Sequence, residues 1–164
     1  MKRIIPLVGT VLLILAGMFT MSPSANAAAA GAYGCAGSQI DSYPETPNGG
    51  TSGTIYGHIY LYYDSATGQN CAVSVATAAG GYGTLTTKKA YIARCVVGTK
   101  PGSTCTEVDV FAYDPPSGGN TPLYSQYAGP VRVSATDRCI IVYGRSTATN
   151  GLYGYYQSKA VHCG

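Results

Sequence analysis

Two histidines, seven carboxylates and six cysteines are the residues whose types could do chemistry, and their spacing decides which chemistry is open to them. A general base, a metal triad or a nucleophilic dyad would need His58 or His162 beside a carboxylate or a nucleophile. Neither lies in H-E-x-x-H, H-x-x-E-H or a G-x-S-x-G elbow. His58 falls within an alternating tyrosine run and His162 directly precedes Cys163, so both read as structural or surface histidines. The acids are Asp41, Glu45, Asp64, Glu107, Asp109, Asp114 and Asp137. Glu107 and Asp109 share a strand face, about 7 Å apart at a period of two, a spacing that permits paired-carboxylate hydrolysis and goes no further. Asp64 to Asn70 is rich in oxygen donors, but the D-x-[DN]-x-[DN]-G calcium pattern is not met and no second acid follows. Those residue types form tight turns. No catalytic residue, metal or cofactor is expected.

Cysteine chemistry is the exception. Cys35, Cys71, Cys95, Cys105, Cys139 and Cys163 are even in number and contain no C-x-x-C, which favours three disulfides in an oxidising compartment over a zinc or redox site. Cys95 and Cys105 flank a loop turned by Pro101-Gly102 and are expected to pair across it. Three arrangements remain for the other four. Asn150-Gly151 would fold Cys139 back towards Cys163, which favours Cys35–Cys71 with Cys139–Cys163 without closing the alternatives.

Tyrosine is the most unusual component, at 15 residues with no Trp. Tyr56, Tyr60 and Tyr62 alternate along one run, and Tyr153, Tyr155 and Tyr156 cluster near the C-terminus. A tyrosine face has an apolar body and a polar rim, suited to stacking on sugar rings or packing on another protein. Tyr56, Tyr60 and Tyr62 are therefore the candidate ligand-binding residues. The competing reading is that a sheet poor in Phe and Trp fills its own core with Tyr, each cross-strand aromatic pair contributing ~0.2–1 kcal/mol.

These residues must be held by a scaffold that begins after a leader. Lys2-Arg3, an apolar run from Ile4 to Phe19 and Ala25-Asn26-Ala27 form a secretory signal peptide over residues 1–27. Without Lys2 and Arg3 the formal charge falls from +3 to +1, and no basic stripe of a nucleic-acid binder is present. Nothing after Ala27 approaches the ~20 apolar residues of a membrane span. Charged residues make up 10% of the chain against about 25% in an average domain. With 22 glycines, that composition describes a turn-rich extracellular β protein.

Residues 28–53 read as an irregular segment with one short strand near 38–43. Thr54 to Tyr63 alternates Ile55, Ile59 and Leu61 against the tyrosines, and Asn70 to Thr77 alternates Cys71, Val73 and Val75 against Ala72 and Ser74; the Asp64–Gln69 turn joins them in a hairpin. Thr86–Val97 and Thr106–Tyr113 form a second hairpin. Asp114-Pro115-Pro116 ends it, because proline cannot donate to a ladder. Gly129–Ala135, Arg138–Tyr143 and Leu152–Val161 complete seven or eight strands, with no apolar stripe of helical period. The expectation is all-β: a single disulfide-stapled antiparallel β-sandwich or partly closed β-barrel over residues 28–164.

With those elements in place, the chain resembles the spore-associated protein A family, small secreted proteins of sporulating mycelial bacteria. The resemblance rests on the Cys35-Ala-Gly-Ser opening, the segment from Ile59 to Val73 with its Ser65-x-Thr67-Gly68-x-Asn70-Cys71 core, Tyr127-Ala-Gly-Pro-Val131, Arg138-Cys139 and the ending His162-Cys163-Gly164. It covers Cys35, Cys71, Cys139 and Cys163; the Cys95–Cys105 segment departs from it as an insertion. The resemblance implies a protein secreted and held at the spore or cell surface, with no catalytic residue to carry over. The partners implied are spore or cell-envelope components, polysaccharide among them. Two alternatives stand beside a non-enzymatic structural or interaction role. One is a carbohydrate- or cell-wall-binding module using the tyrosine face. The other is a protease inhibitor presenting Lys100, for which Pro101 makes a poor substrate mimic.

Overall fold

A computed structural model describes residues 31–116 and 122–164; the expected leader and part of the Gly/Pro stretch after Pro116 lie outside the described residues. Among the described residues a short 3-10 turn at Ala32–Gly34 is followed by eight strands: β1 (Ser38–Glu45), β2 (Gly57–Asp64), β3 (Gln69–Ala76), β4 (Lys88–Cys95), β5 (Val108–Asp114), β6 (Tyr127–Ser134), β7 (Ile140–Thr147) and β8 (Tyr153–Gln157). They form two four-stranded sheets, ordered β1-β2-β3-β6 and β5-β4-β7-β8, antiparallel throughout. The sheets pack face to face, so the architecture is the sandwich.

The three hairpins read from local sequence are present. At the β2–β3 turn the Asp64 carboxylate accepts from Ala66 N at 3.0 Å and from Thr67 Oγ1 at 2.8 Å, an Asx turn to which Thr67 N adds a bond to the Asp64 carbonyl at 3.3 Å. At the β7–β8 turn Gly151 adopts φ 84°, and Asn150 Oδ1 accepts from Leu152 N at 3.1 Å. The Thr136-Asp137 connection is different in kind. It carries the chain from β6, paired with β3, to β7, paired with β4, and so crosses between sheets.

Two details depart from the alternation. Ile55, expected beside Ile59 and Leu61, is 37% exposed. The ladder begins only at Gly57, and the Ile55 carbonyl accepts from Thr77 Oγ1 at 2.6 Å ahead of it. The last strand stops at Gln157 because Ser158 Oγ accepts from Val142 N at 2.9 Å in place of a ladder carbonyl; the expected end, Val161, forms an isolated bridge to Ile140.

The core lies between the sheets and is built from Ile59 and Leu61 of β2, Ile92 of β4, Val131 and Val133 of β6 and Ile140 and Val142 of β7. Each such side chain stabilises the fold by about 1.5–3 kcal/mol on burial. The two outer faces are also partly covered, and there the disulfides sit. Cys35–Cys71 clamps the N-terminal segment over Tyr62, Val73 and Val75. Cys95–Cys105 and Cys139–Cys163 enclose Ala93, Ile141 and Ala160 on the opposite face. The favoured arrangement of the remaining four cysteines is the one found. Three disulfides in one small chain mark an extracellular protein.

Candidate functional site

Period-two alternation sends His58, Tyr60 and Tyr62 to the outer face of β1-β2-β3-β6 while Ile59 and Leu61 point inward. That outer face is not open. Tyr33, carried by the segment that Cys35 staples down, lies 6.2 Å from the Tyr60 ring and 5.3 Å from the Tyr127 ring, centroid to centroid. Tyr62 is 4% exposed beneath the same segment, and Tyr60 is half-buried. Tyr56 stands apart, 8% exposed, with its Cβ against Gly154 of β8. So Tyr60 and Tyr62 are brought together, and Tyr56 does not join them.

The histidines are also separated. His58 neighbours Tyr60 at 5.8 Å between rings, and burial pushes its imidazole below its usual range. His162 Nε2 lies 3.4 Å from Asp41 Oδ2, an oxygen that also accepts from the Tyr43 hydroxyl. Glu107 precedes β5, while Asp109 is held by Arg94 at 2.9 Å and Arg138 at 2.8 Å. Those two guanidinium groups pull the Asp109 carboxyl down to about 2. Lys100 sits in a tight turn whose carbonyl accepts from Ser103 N at 3.1 Å and Ser103 Oγ at 2.6 Å. The Asp64 turn uses its carboxylate internally, and among the described residues no group of three metal-ligating side chains assembles.

Two arrangements were not legible as sites in the sequence. The first is internal. Glu45, at the end of β1, is fully buried and accepts from Ser74 Oγ at 2.6 Å. Gly57 and Gly144 make the space, since a methyl on either would run into its carboxyl oxygens. Burial pushes that carboxyl up to about 7, against the opposing pull of Ser146, Ser74 and the Lys88 ammonium. Lys88 is itself fully buried. Its Nζ donates to Thr86 Oγ1 at 2.7 Å and the Tyr124 carbonyl at 2.8 Å. Both side chains of this polar centre are sealed from solvent between the sheets.

The second is an aromatic row on the outer face of β5-β4-β7-β8. Inward Ala112, Ile92 and Val142 alternate with outward Tyr113, Tyr91 and Tyr143. The ladders place Tyr113 opposite Tyr91, Tyr91 opposite Tyr143, and Tyr143 opposite Gln157, one residue from each strand in a single line. Tyr91 and Tyr113 lie 6.4 Å apart between ring centroids, with Phe111 6.2 Å from Tyr91. The rings line a shallow groove of about 460 Å³ that also includes Lys89 and Ile141. Burial raises the Tyr91 and Tyr143 phenols above their usual range, so both are neutral donors and acceptors at neutral pH. The signal for this row was the recurrence of an outward aromatic in three strands, which becomes a site only once their register is known.

No family model and no solved structure matches the chain. Spore-associated protein A of Streptomyces coelicolor is 34% identical over 129 residues, spanning 76% of this chain and 68% of that protein.

Proposed function

The chain belongs to the spore-associated protein A family, and from that premise we propose that it is a secreted, non-enzymatic component held at the spore or cell surface, with a structural or interaction role. The observation that carries the reading is the stapled sandwich itself: its outer faces bear aromatic rings, and three of its carboxylates, Asp109, Asp114 and Asp41, are engaged within the fold. Asp109 serves Arg94 and Arg138. Asp114 accepts from the Tyr124 hydroxyl and Gly129 N. Asp41 is shared by Tyr43 and His162. A hydrolase would instead need a carboxylate or imidazole free to reach substrate. The inhibitor alternative loses support, because the Lys100 carbonyl is engaged within its own turn; an inhibitor's reactive loop is presented extended.

Fractionation of the producing cells tests the proposal. The protein is expected on washed spores or hyphae, and His58→Gln and His162→Gln variants are expected to remain there. Recovery wholly in the culture fluid would overturn the reading, as would loss of surface retention in either histidine variant of unchanged stability.

A further inference from the structure

The outer face of β5-β4-β7-β8 carries a charge arrangement that folding alone does not reward. Lys89 stands directly opposite Arg145 in the β4–β7 ladder, and like charges directly opposite each other destabilise a sheet. Among the described residues neither has a carboxylate partner. Arg145 turns its guanidinium over Tyr153, 3.8 Å from the ring centroid, and its buried Nε has no acceptor. The two cations flank the aromatic row on the same face, since Lys89 is two residues from Tyr91 and Arg145 two from Tyr143.

The geometry points to this face as a binding surface for an acidic polysaccharide, its sugar rings laid along Tyr113, Tyr91 and Tyr143 and its carboxylates or other anionic substituents met by Lys89 and Arg145. Tyrosine offers such a polymer a flat apolar face for the C–H side of each ring and a hydroxyl for the sugar hydroxyls. The Gln157 amide extends the polar edge at the end of the row. Charge complementarity selects the acidic polymer over a neutral one. The groove is shallow and three of its lining side chains are tyrosine rings, which suits an extended chain. The inference deepens the surface reading, since an envelope polymer of this class would be what retains the protein.

The oxidised protein, tested by affinity electrophoresis, is expected to bind polygalacturonate in preference to dextran, with binding weakening as salt screens the charges. Tyr91→Ala and Lys89→Glu are each expected to weaken binding by roughly tenfold or more, as for a central contact. Tyr82→Ala, in the loop before β4, should leave it unchanged. If Tyr91→Ala does not fold, Lys89→Glu carries the test alone, since it removes no core contact. Equal affinity for dextran, or unaltered binding by Lys89→Glu, would overturn the inference. So would a concentration-dependent dimer abolished by Lys89→Glu or Tyr91→Ala, which would assign the face to a second copy of the chain. Retention on spores without polygalacturonate binding would remove this inference and leave the surface reading intact; the converse result would do the opposite.

Discussion

Gly57 makes room for Glu45: a methyl on the first residue of β2 would run into Glu45 Oε2 and Ser146 Oγ, and would stand 2.9 Å from the Val75 carbonyl. The glycine is required by this close approach, since its φ is not in the left-handed region. Gly57→Ala is therefore expected to destabilise the fold by about 1–3 kcal/mol, the range for overpacking a filled interior. Urea unfolding checks this, with Gly50→Ala, where open space surrounds the added methyl, as the comparison.

The same carboxyl sets a pH dependence. Burial lifts Glu45 to about 7 from an ordinary 4.5, so between those values the folded state holds a proton that the unfolded chain has released. The stabilisation is full below pH 4.5 and is lost as pH rises towards 7, by about 3 kcal/mol as an upper bound. Asp109 acts oppositely and elsewhere. Its carboxyl is pulled down to about 2, so its contribution is lost only as pH falls below 3.8. Glu45→Gln should flatten the midpoint of thermal unfolding between pH 4.5 and 7 and leave the acid limb unchanged.

Lys88 reinforces the isolated Thr86–Tyr124 bridge that ties the 81–86 segment to the start of the β6 region. Besides Thr86 and Tyr124, its ammonium lies 3.4 Å from the Gly81 and Thr84 carbonyls. Lys88→Met fills similar volume but strips a buried carbonyl set of its donor, and should cost roughly 2–4 kcal/mol. It also removes the cation that steadies the Glu45 carboxylate, so the Glu45 transition should move to higher pH. A cycle with Glu45→Gln measures that coupling.

The three disulfides should differ in weight. Cys35–Cys71 closes 36 residues, Cys139–Cys163 closes 24, and Cys95–Cys105 closes 10. Loop entropy ranks them at about 4, 3.5 and 3 kcal/mol. Covering adds to the ranking, since Cys35–Cys71 also holds Tyr33 over Tyr60. The Cys95→Ser/Cys105→Ser variant should fold with a lowered midpoint. Cys35→Ser/Cys71→Ser should lose more and become sensitive to protease around residues 31–37.

Much of this architecture was local and therefore readable from the sequence. The hairpins β2–β3, β4–β5 and β7–β8 follow from turn residues flanked by period-two runs, and each joins strands that are consecutive in the chain, the longest connection being 96–107. The same hairpins bring their cysteines within bonding range, so two of the three pairings came with them. Tertiary structure decided the rest, because it depends on which strands lie side by side across long separations. Only the pairing of β6 with β3 and of β7 with β4 shows that Thr136-Asp137 crosses between sheets. Only packing shows that the run containing Tyr60 and Tyr62 lies beneath Tyr33. In the sequence Glu45 and Lys88 look like ordinary surface charges, and it is the glycines at 57 and 144, from two different sheets, that admit the carboxyl to the interior. Tyr113, Tyr91 and Tyr143 are single outward residues on three strands. A one-residue slip of any of the three would turn its ring inward and erase the row, so the row exists through register, which is set by the buried face and not by the tyrosines.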